Sequence, residues 1–430
     1  MFEKLNLLIP FGNFIRNKSF QNFLFFAVIQ SSNVLISIIS MPLLIQSIGV
    51  DQFGLVNLSL SIIVLLNILV GFGYNLSAPR EIAINQGNKE ALSHVVSKVF
   101  SGKVLLAFFA TFLVLIGSFV FNLFQEYRMI LVFSVLLLFS EATLPLWVFQ
   151  GMEKMKLVSI ANIFSKLLFL MGIVLFIHSP EQSKWVNFLM GFFGLGTNLF
   201  LLAYIHSFLG IQFYRPEFSA IWKSLMDNSL LFFSNLASYI SISGGLIVLS
   251  FFANAETLGM YSLAERVIMV VRLFPSFIFQ AIIPNASRLY SENLPAFFVF
   301  MKSVFKKVLL VGMIISVVIY FAAPFIVQVL SRSVLEDSVL YLKILAFVPF
   351  LACLNVANVT MMMAADLRQL LFKASWLMCA FMLILSPILT SYFGPIGLCI
   401  AIISTEIVVL LICMVLLYRH NKILFYGFYS

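Results

Sequence analysis

With 430 residues, 62% of them hydrophobic and only 10% charged, the chain has too little polar surface to enclose a water-soluble core. Its solvent is lipid, which excludes a soluble enzyme or a disordered regulator. The net charge of +9 would suit a nucleic-acid partner, but the basic residues cluster between apolar runs, where they set topology beside anionic lipid; no nucleic acid is expected.

Apolar runs of membrane-spanning length recur along the chain near 20–47, 53–76, 93–122, 128–150, 157–178, 185–209, 226–252, 257–283, 303–330, 338–364, 369–392 and 395–418. The first is too long for the apolar core of a cleavable signal. The expectation is an all-α integral membrane protein of about twelve transmembrane helices. Its basic residues test that count. Lys4, Arg16, Lys18, Arg80, Lys89, Lys98, Lys103, Lys154, Lys156, Lys166, Arg215, Lys223, Arg288, Lys302, Lys306, Lys307, Arg368, Lys373, Arg419 and Lys422 fall on one side, 20 of the 26. Arg128, Lys184 and Arg332 fall on the other. This bias predicts an even number of spans with both termini cytoplasmic.

The two halves are weakly alike. Shifted by 205 residues, Asp51–Gly54 lies on Glu256–Gly259 and Leu58 on Leu263. Gly151-Met152-Glu153 lies near Ala364-Ala365-Asp366. The predicted organisation is therefore two six-helix lobes, 1–210 and 211–430, of one orientation, with a cavity between them.

Specific segments then resemble a known family. Gly71–Ala83 resembles the second-span exit of polysaccharide flippases, and Trp147–Met155 their fourth-span exit. Gly259–Arg266 resembles their eighth span, and Pro284, Ser287 and Arg288 its exit. The family is the Wzx-type flippases of O-antigen and capsule repeat units, which share the MOP superfamily with the MATE drug exporters. Pro79 departs from the pattern, which has Thr there. The resemblance covers nearly the whole chain. It implies two lobes working by alternating access in the bacterial inner (cytoplasmic) membrane. It also implies an oligosaccharide on undecaprenyl diphosphate as substrate, with membrane lipids and polysaccharide polymerase machinery as partners.

Such a substrate needs a hydrated cationic path through a ~30 Å hydrocarbon layer. Ionisable residues inside spans are the candidates, since each is costly if it faces lipid. Arg266 and Arg272 lie about 14 Å and 23 Å along the eighth span at 1.5 Å per residue. They either present guanidinium forks to the diphosphate or pair with a carboxylate of a neighbouring helix. Lys166 and Lys343 are further candidate substrate ligands, each long enough to snorkel instead. Glu141, Glu265 and Glu406 are candidate sites for a coupling H⁺ or Na⁺, or else members of structural salt bridges. Arg80, Glu81, Glu153 and Lys154 are candidate gate charges, set against solvated loops. His206 and Asp227 read as interfacial. Pro42, Pro145, Pro275, Pro324, Pro349, Pro387 and Gly244-Gly245 are bending points or static packing features.

No catalytic residue, cofactor or metal is expected. Cys353, Cys379, Cys399 and Cys413 read as small buried hydrophobes. Two other functions compete. A MATE-type cation antiporter would need an acidic path, whereas these spans carry Arg266 and Arg272. A polysaccharide polymerase or ligase would need a substantial external loop, and none is present in the sequence.

Overall fold

The computed structural model describes residues 18–121, 125–333 and 335–429, and the regular elements among them are all helical. Lys4 and Arg16, and with them the expected cytoplasmic N-terminus, lie outside the described residues. Nine helical stretches among the described residues are long and apolar enough to cross a membrane. Large hydrophobics such as Phe108, Phe208, Phe321 and Tyr392 are exposed, as befits helices whose outer face meets lipid rather than water. The chain is a multi-pass membrane protein.

The longest helices are longer than one crossing. Helix α1 (Lys18–Gly71) places Ile29 in one core with Leu69 and Phe72. A straight helix would hold Ile29 and Leu69 ~60 Å apart. The chain doubles back at Gly49 (φ 83, ψ 167), a backbone region open in practice only to glycine.

The first half continues through α2 (Tyr74–Ile84), α3 (Lys89–Leu115), α4 (Arg128–Ser134), α5 (Leu136–Thr143), α6 (Leu146–Gly151), α7 (Met155–Phe176) and α8 (Lys184–Leu209). The second half holds α9 (Phe218–Ser243), α10 (Gly245–Leu249), α11 (Ala255–Val271), α12 (Leu273–Glu292), α13 (Leu294–Ser331), α14 (Glu336–Leu345), α15 (Val348–Ala364), α16 (Arg368–His420) and α17 (Lys422–Tyr429). In α16, Leu370 and Leu417 share a core, and the reversal falls at Gly394 (φ 57, ψ −140).

Local chemistry sets the helix starts. Asn88, Asn254 and Asn293 cap α3, α11 and α13 by accepting backbone N–H groups at 2.9–3.1 Å. Proline sets several breaks. Pro145 precedes α6, Pro275 stands in the first turn of α12 and Pro349 in that of α15, positions where a missing N–H leaves no helical bond unmade. Pro42, Pro324 and Pro387 lie within helices. Gly244 separates α9 from α10.

Two compact units result. The described residues up to Leu43 join Ile63–Phe233 in one; Leu44–Ile62 join the chain from Ser234 in the other. In the first unit α8 packs on α4, α5 and α7, and α2 packs on α6. Tyr74, Trp147, Phe149 and Ile205 form its core. In the second unit α15 packs on α12, α13 and α16, around Phe297, Met361, Met362 and Cys413.

The internal repeat is visible in backbone geometry. Glu153 and Asp366 both have φ 55, rare for residues other than glycine. Each is the left-handed residue of the same helix-ending turn. Lys154 N–H donates to Phe149 O and Leu367 N–H to Met362 O, both at 2.8 Å. Glu153 N–H donates to Gln150 O at 3.2 Å, and Asp366 N–H to Met363 O at 3.1 Å. Within the second unit, Gly54 and Gly259, which the 205-residue shift superimposes, pack backbone against backbone with no room for a Cβ on either.

Candidate functional site

In the second unit α11 carries Glu265 and Arg266, and Arg272 marks the break between α11 and α12. That break follows from the sequence after it, where Pro275 supplies no N–H to the helix it interrupts. Arg272 forms an ion pair with Glu406 of α16, their side chains only 13% and 8% exposed. Its guanidinium also donates to the Ile242 carbonyl at 3.4 Å. Arg266 donates from Nε and Nη2 to Asn57 Oδ1 at 3.1 Å and 2.7 Å. Asn57 is itself held by its own donation to Phe53 O at 2.8 Å. Glu265 lies within electrostatic range of Arg266, Arg272, Tyr239, Tyr261 and Cys399. Four charges read separately from the sequence thus gather in one buried group, and a candidate substrate ligand is the partner of a candidate coupling carboxylate.

The first unit holds a parallel arrangement. Lys103 of α3 is fully buried and donates to Glu141 Oε1 of α5 at 3.4 Å. Gly71 at the end of α1 faces the same Glu141 carboxylate and Asn75. The pattern of basic residues puts Lys103 with the cytoplasmic charges; the structure instead buries it within the first unit. It lies in the fourth turn of α3, ~21 Å along the helix from Lys89, too far to reach past the helix end. Its depth was readable from the apolar run on its C-terminal side. Its partner, 38 residues away, was not.

The candidate gate residues collect at one end of the first unit. Gly151 abuts the Pro79 carbonyl and Ile82 so closely that a Cβ would not fit, which docks α6 on α2. Gln86 Nε2 donates to Gly151 O at 2.5 Å. Two of the segments that carry the flippase resemblance, 71–83 and 147–155, are therefore packed on each other. Glu81 pairs with Lys98 at 3.1 Å, while Arg80, Glu153 and Lys154 are exposed. Lys166 and Lys343 join neither ion pair: Lys166 is half-buried on α7, and the Lys343 ammonium lies 5.7 Å from the Tyr320 ring centroid. His206 Nδ1 lies 3.3 Å from Ile211 O. Asp227 is exposed. The four cysteines are buried free thiols, and no metal-holding group of His, Cys, Asp and Glu occurs among the described residues.

A family model described as "Polysaccharide biosynthesis protein" matches residues 19–290, well over half of the chain. The chain belongs to the polysaccharide biosynthesis protein family. Among members related to it, a protein of Escherichia coli (strain K12) named "Putative O-antigen transporter" is 24% identical over 405 residues, 94% of this chain and 97% of that protein. Solved structures show the fold of this family member. It is similar to the lipid II flippase MurJ in an inward closed conformation, with TM-score 0.70 and 15% identity over 92% of this chain and 87% of the other. It is similar as well to an inward-facing MATE multidrug resistance transporter of the MOP superfamily, with TM-score 0.69 and 14% identity over 91% and 98%.

Proposed function

We propose that this protein is a transporter, not an enzyme, that flips undecaprenyl-diphosphate-linked oligosaccharide, an O-antigen or capsule repeat unit, from the cytoplasmic to the outer leaflet of the bacterial inner membrane. It works by alternating access. Family membership and the O-antigen transporter relative support the substrate class. The reversals at Gly49 and Gly394, counted with α9, support twelve spans in two lobes, and the bias of the basic residues supports both termini being cytoplasmic.

The observation that carries the reading is the charge inside the spans. Lys103, Lys166, Arg266, Arg272 and Lys343 stand against Glu141, Glu265 and Glu406. Lys103–Glu141 and Arg272–Glu406 neutralise each other, and the remainder is cationic. A diphosphate is stabilised by such a surplus and a cationic drug is repelled by it, so the antiporter reading is the weaker one. In this reading Arg266, helped by Lys166 and Lys343, receives the diphosphate, and Arg272 joins it when Glu406 is occupied by the coupling cation. Glu141, Glu265 and Glu406 serve cation coupling by H⁺ or Na⁺, and Arg80, Glu81, Glu153 and Lys154 form a gate.

The test is flipping of lipid-linked sugar per folded molecule in proteoliposomes. Arg266→Lys and Arg272→Lys retain part of the activity, because a point charge still attracts phosphate without the bidentate fork; Arg→Ala retains little. Normal flipping by a well-folded Arg266→Ala, Arg272→Ala double variant would overturn the substrate assignment. Loss of gradient dependence in a Gln variant at position 141, 265 or 406 identifies the coupling carboxylate.

A further inference from the structure

The segment 210–217, which leaves α8 and enters α9, is not helical and runs along α3. Two serines one turn apart fix its register. Gln212 N–H donates to Ser93 Oγ at 3.0 Å and Tyr214 N–H to Ser97 Oγ at 2.8 Å. Two residues of extended chain cover nearly the same rise as four of helix, so the pairing continues in step. The rings follow: His94 stacks on Tyr214 at 5.1 Å, and Phe100 meets Phe213 edge-on at 5.7 Å. Continued one step, this register sets Pro216 level with Ser101, next to Arg215. There a groove of about 540 Å³ opens, walled by Phe100, Val104, Leu105 and Phe108 of α3 and by Phe218 of α9.

The groove has two unlike ends. Arg215 and Ser101 are its polar groups, and beyond Lys103 the α3 sequence is apolar through Ala110. Arg215 is exposed and has no carboxylate within ion-pair distance among the described residues. The nearest acid in sequence, Glu217, accepts instead from Ser219 Oγ at 3.1 Å. An uncompensated guanidinium at the mouth of an apolar groove in a membrane protein matches one ligand shape: an anionic head with an acyl chain behind it. The volume lies within the range of formed ligand sites.

We propose that this groove holds one anionic phospholipid, its phosphate on Arg215 and Ser101 and an acyl chain along Val104, Leu105 and Phe108. The lipid braces the 210–217 segment against α3. The site is separate from both buried ion pairs and does not depend on which substrate is transported.

The experiment offers phosphatidylglycerol and phosphatidylcholine to the full-length protein in neutral detergent and counts retained lipid by native mass spectrometry. One phosphatidylglycerol is retained in preference to phosphatidylcholine. Arg215→Ala lowers that retention roughly fivefold, the scale of one basic residue at an anionic lipid surface, and Arg215→Lys restores most of it. Leu105→Trp, which fills the apolar half from an exposed position, lowers retention of both lipids. Excess inorganic phosphate leaves the adduct in place, because the acyl chain also contributes. Equal retention of the two lipids, wild-type retention by Arg215→Ala or Leu105→Trp, or displacement by phosphate alone would overturn the proposal. So would stronger retention of undecaprenyl diphosphate than of phosphatidylglycerol, which would make the groove a substrate subsite.

Discussion

Arg272 and Lys103 show how a buried charge is tolerated in lipid-facing helices: each meets a carboxylate on another helix. Removing one member leaves the other charged and unsatisfied. Arg272→Ala is therefore expected to destabilise the protein by ~3–5 kcal/mol, and Arg272→Ala with Glu406→Gln to recover most of that loss. Folded yield and thermal unfolding in detergent measure both; a double variant no better than the single would show that the pair is not what holds Arg272. Lys103→Met follows the same logic with a smaller loss, about 1–3 kcal/mol, because the Glu141 side chain retains 21% exposure and some hydration. Adding Glu141→Gln should restore stability. Flipping that stays low in that stable double variant would separate a transport role for the pair from a structural one.

At the scale of elements, the helix-ending turns at Glu153 and Asp366 hold a left-handed backbone without glycine. An L-residue there carries a penalty of about 1 kcal/mol. Glu153→Gly is expected to relieve that penalty while keeping the two backbone bonds that close the turn, from Glu153 N–H to Gln150 O and from Lys154 N–H to Phe149 O. If the carboxylate is also a gate charge, the same variant loses transport while its unfolding temperature holds, an outcome that a passive loop does not give. Packing glycines behave oppositely. Gly151→Ala drives a Cβ into the Pro79 carbonyl and Ile82, and a loss of about 1–3 kcal/mol is expected from overpacking. Gly196→Ala, on a helix with open space beside it, should be neutral or slightly stabilising. A reversed order of melting temperatures for these two variants would contradict the packing of α6 on α2.

For the whole molecule, the topology prediction rests on the distribution of basic residues. Single cysteines at positions 51 and 256 should react with an impermeant maleimide from outside, and those at 89 and 154 should not; the opposite pattern would invert the protein in the membrane. Composition and periodicity alone determined that the chain is helical and multi-pass, because a lipid solvent demands long apolar runs that satisfy their own backbone. Traces of the repeat were legible too: Gly54 and Gly259, 205 residues apart, are each glycine where two backbones touch, and the Glu153 and Asp366 turns, 213 apart, each keep an acid. Spacing along one helix also flagged Arg266, Arg272, Glu141 and Glu406 as costly groups in lipid. What it does not encode is the partner. Arg272 meets Glu406 across more than 130 residues of chain, Arg266 meets Asn57 across 209, and Lys103, counted by sequence among the charges of the cytoplasmic side, is buried against Glu141. Those pairings belong to the tertiary structure, because a buried charge is satisfied by whichever helix packing places a carboxylate or amide against it, and packing is a property of faces rather than of sequence neighbours.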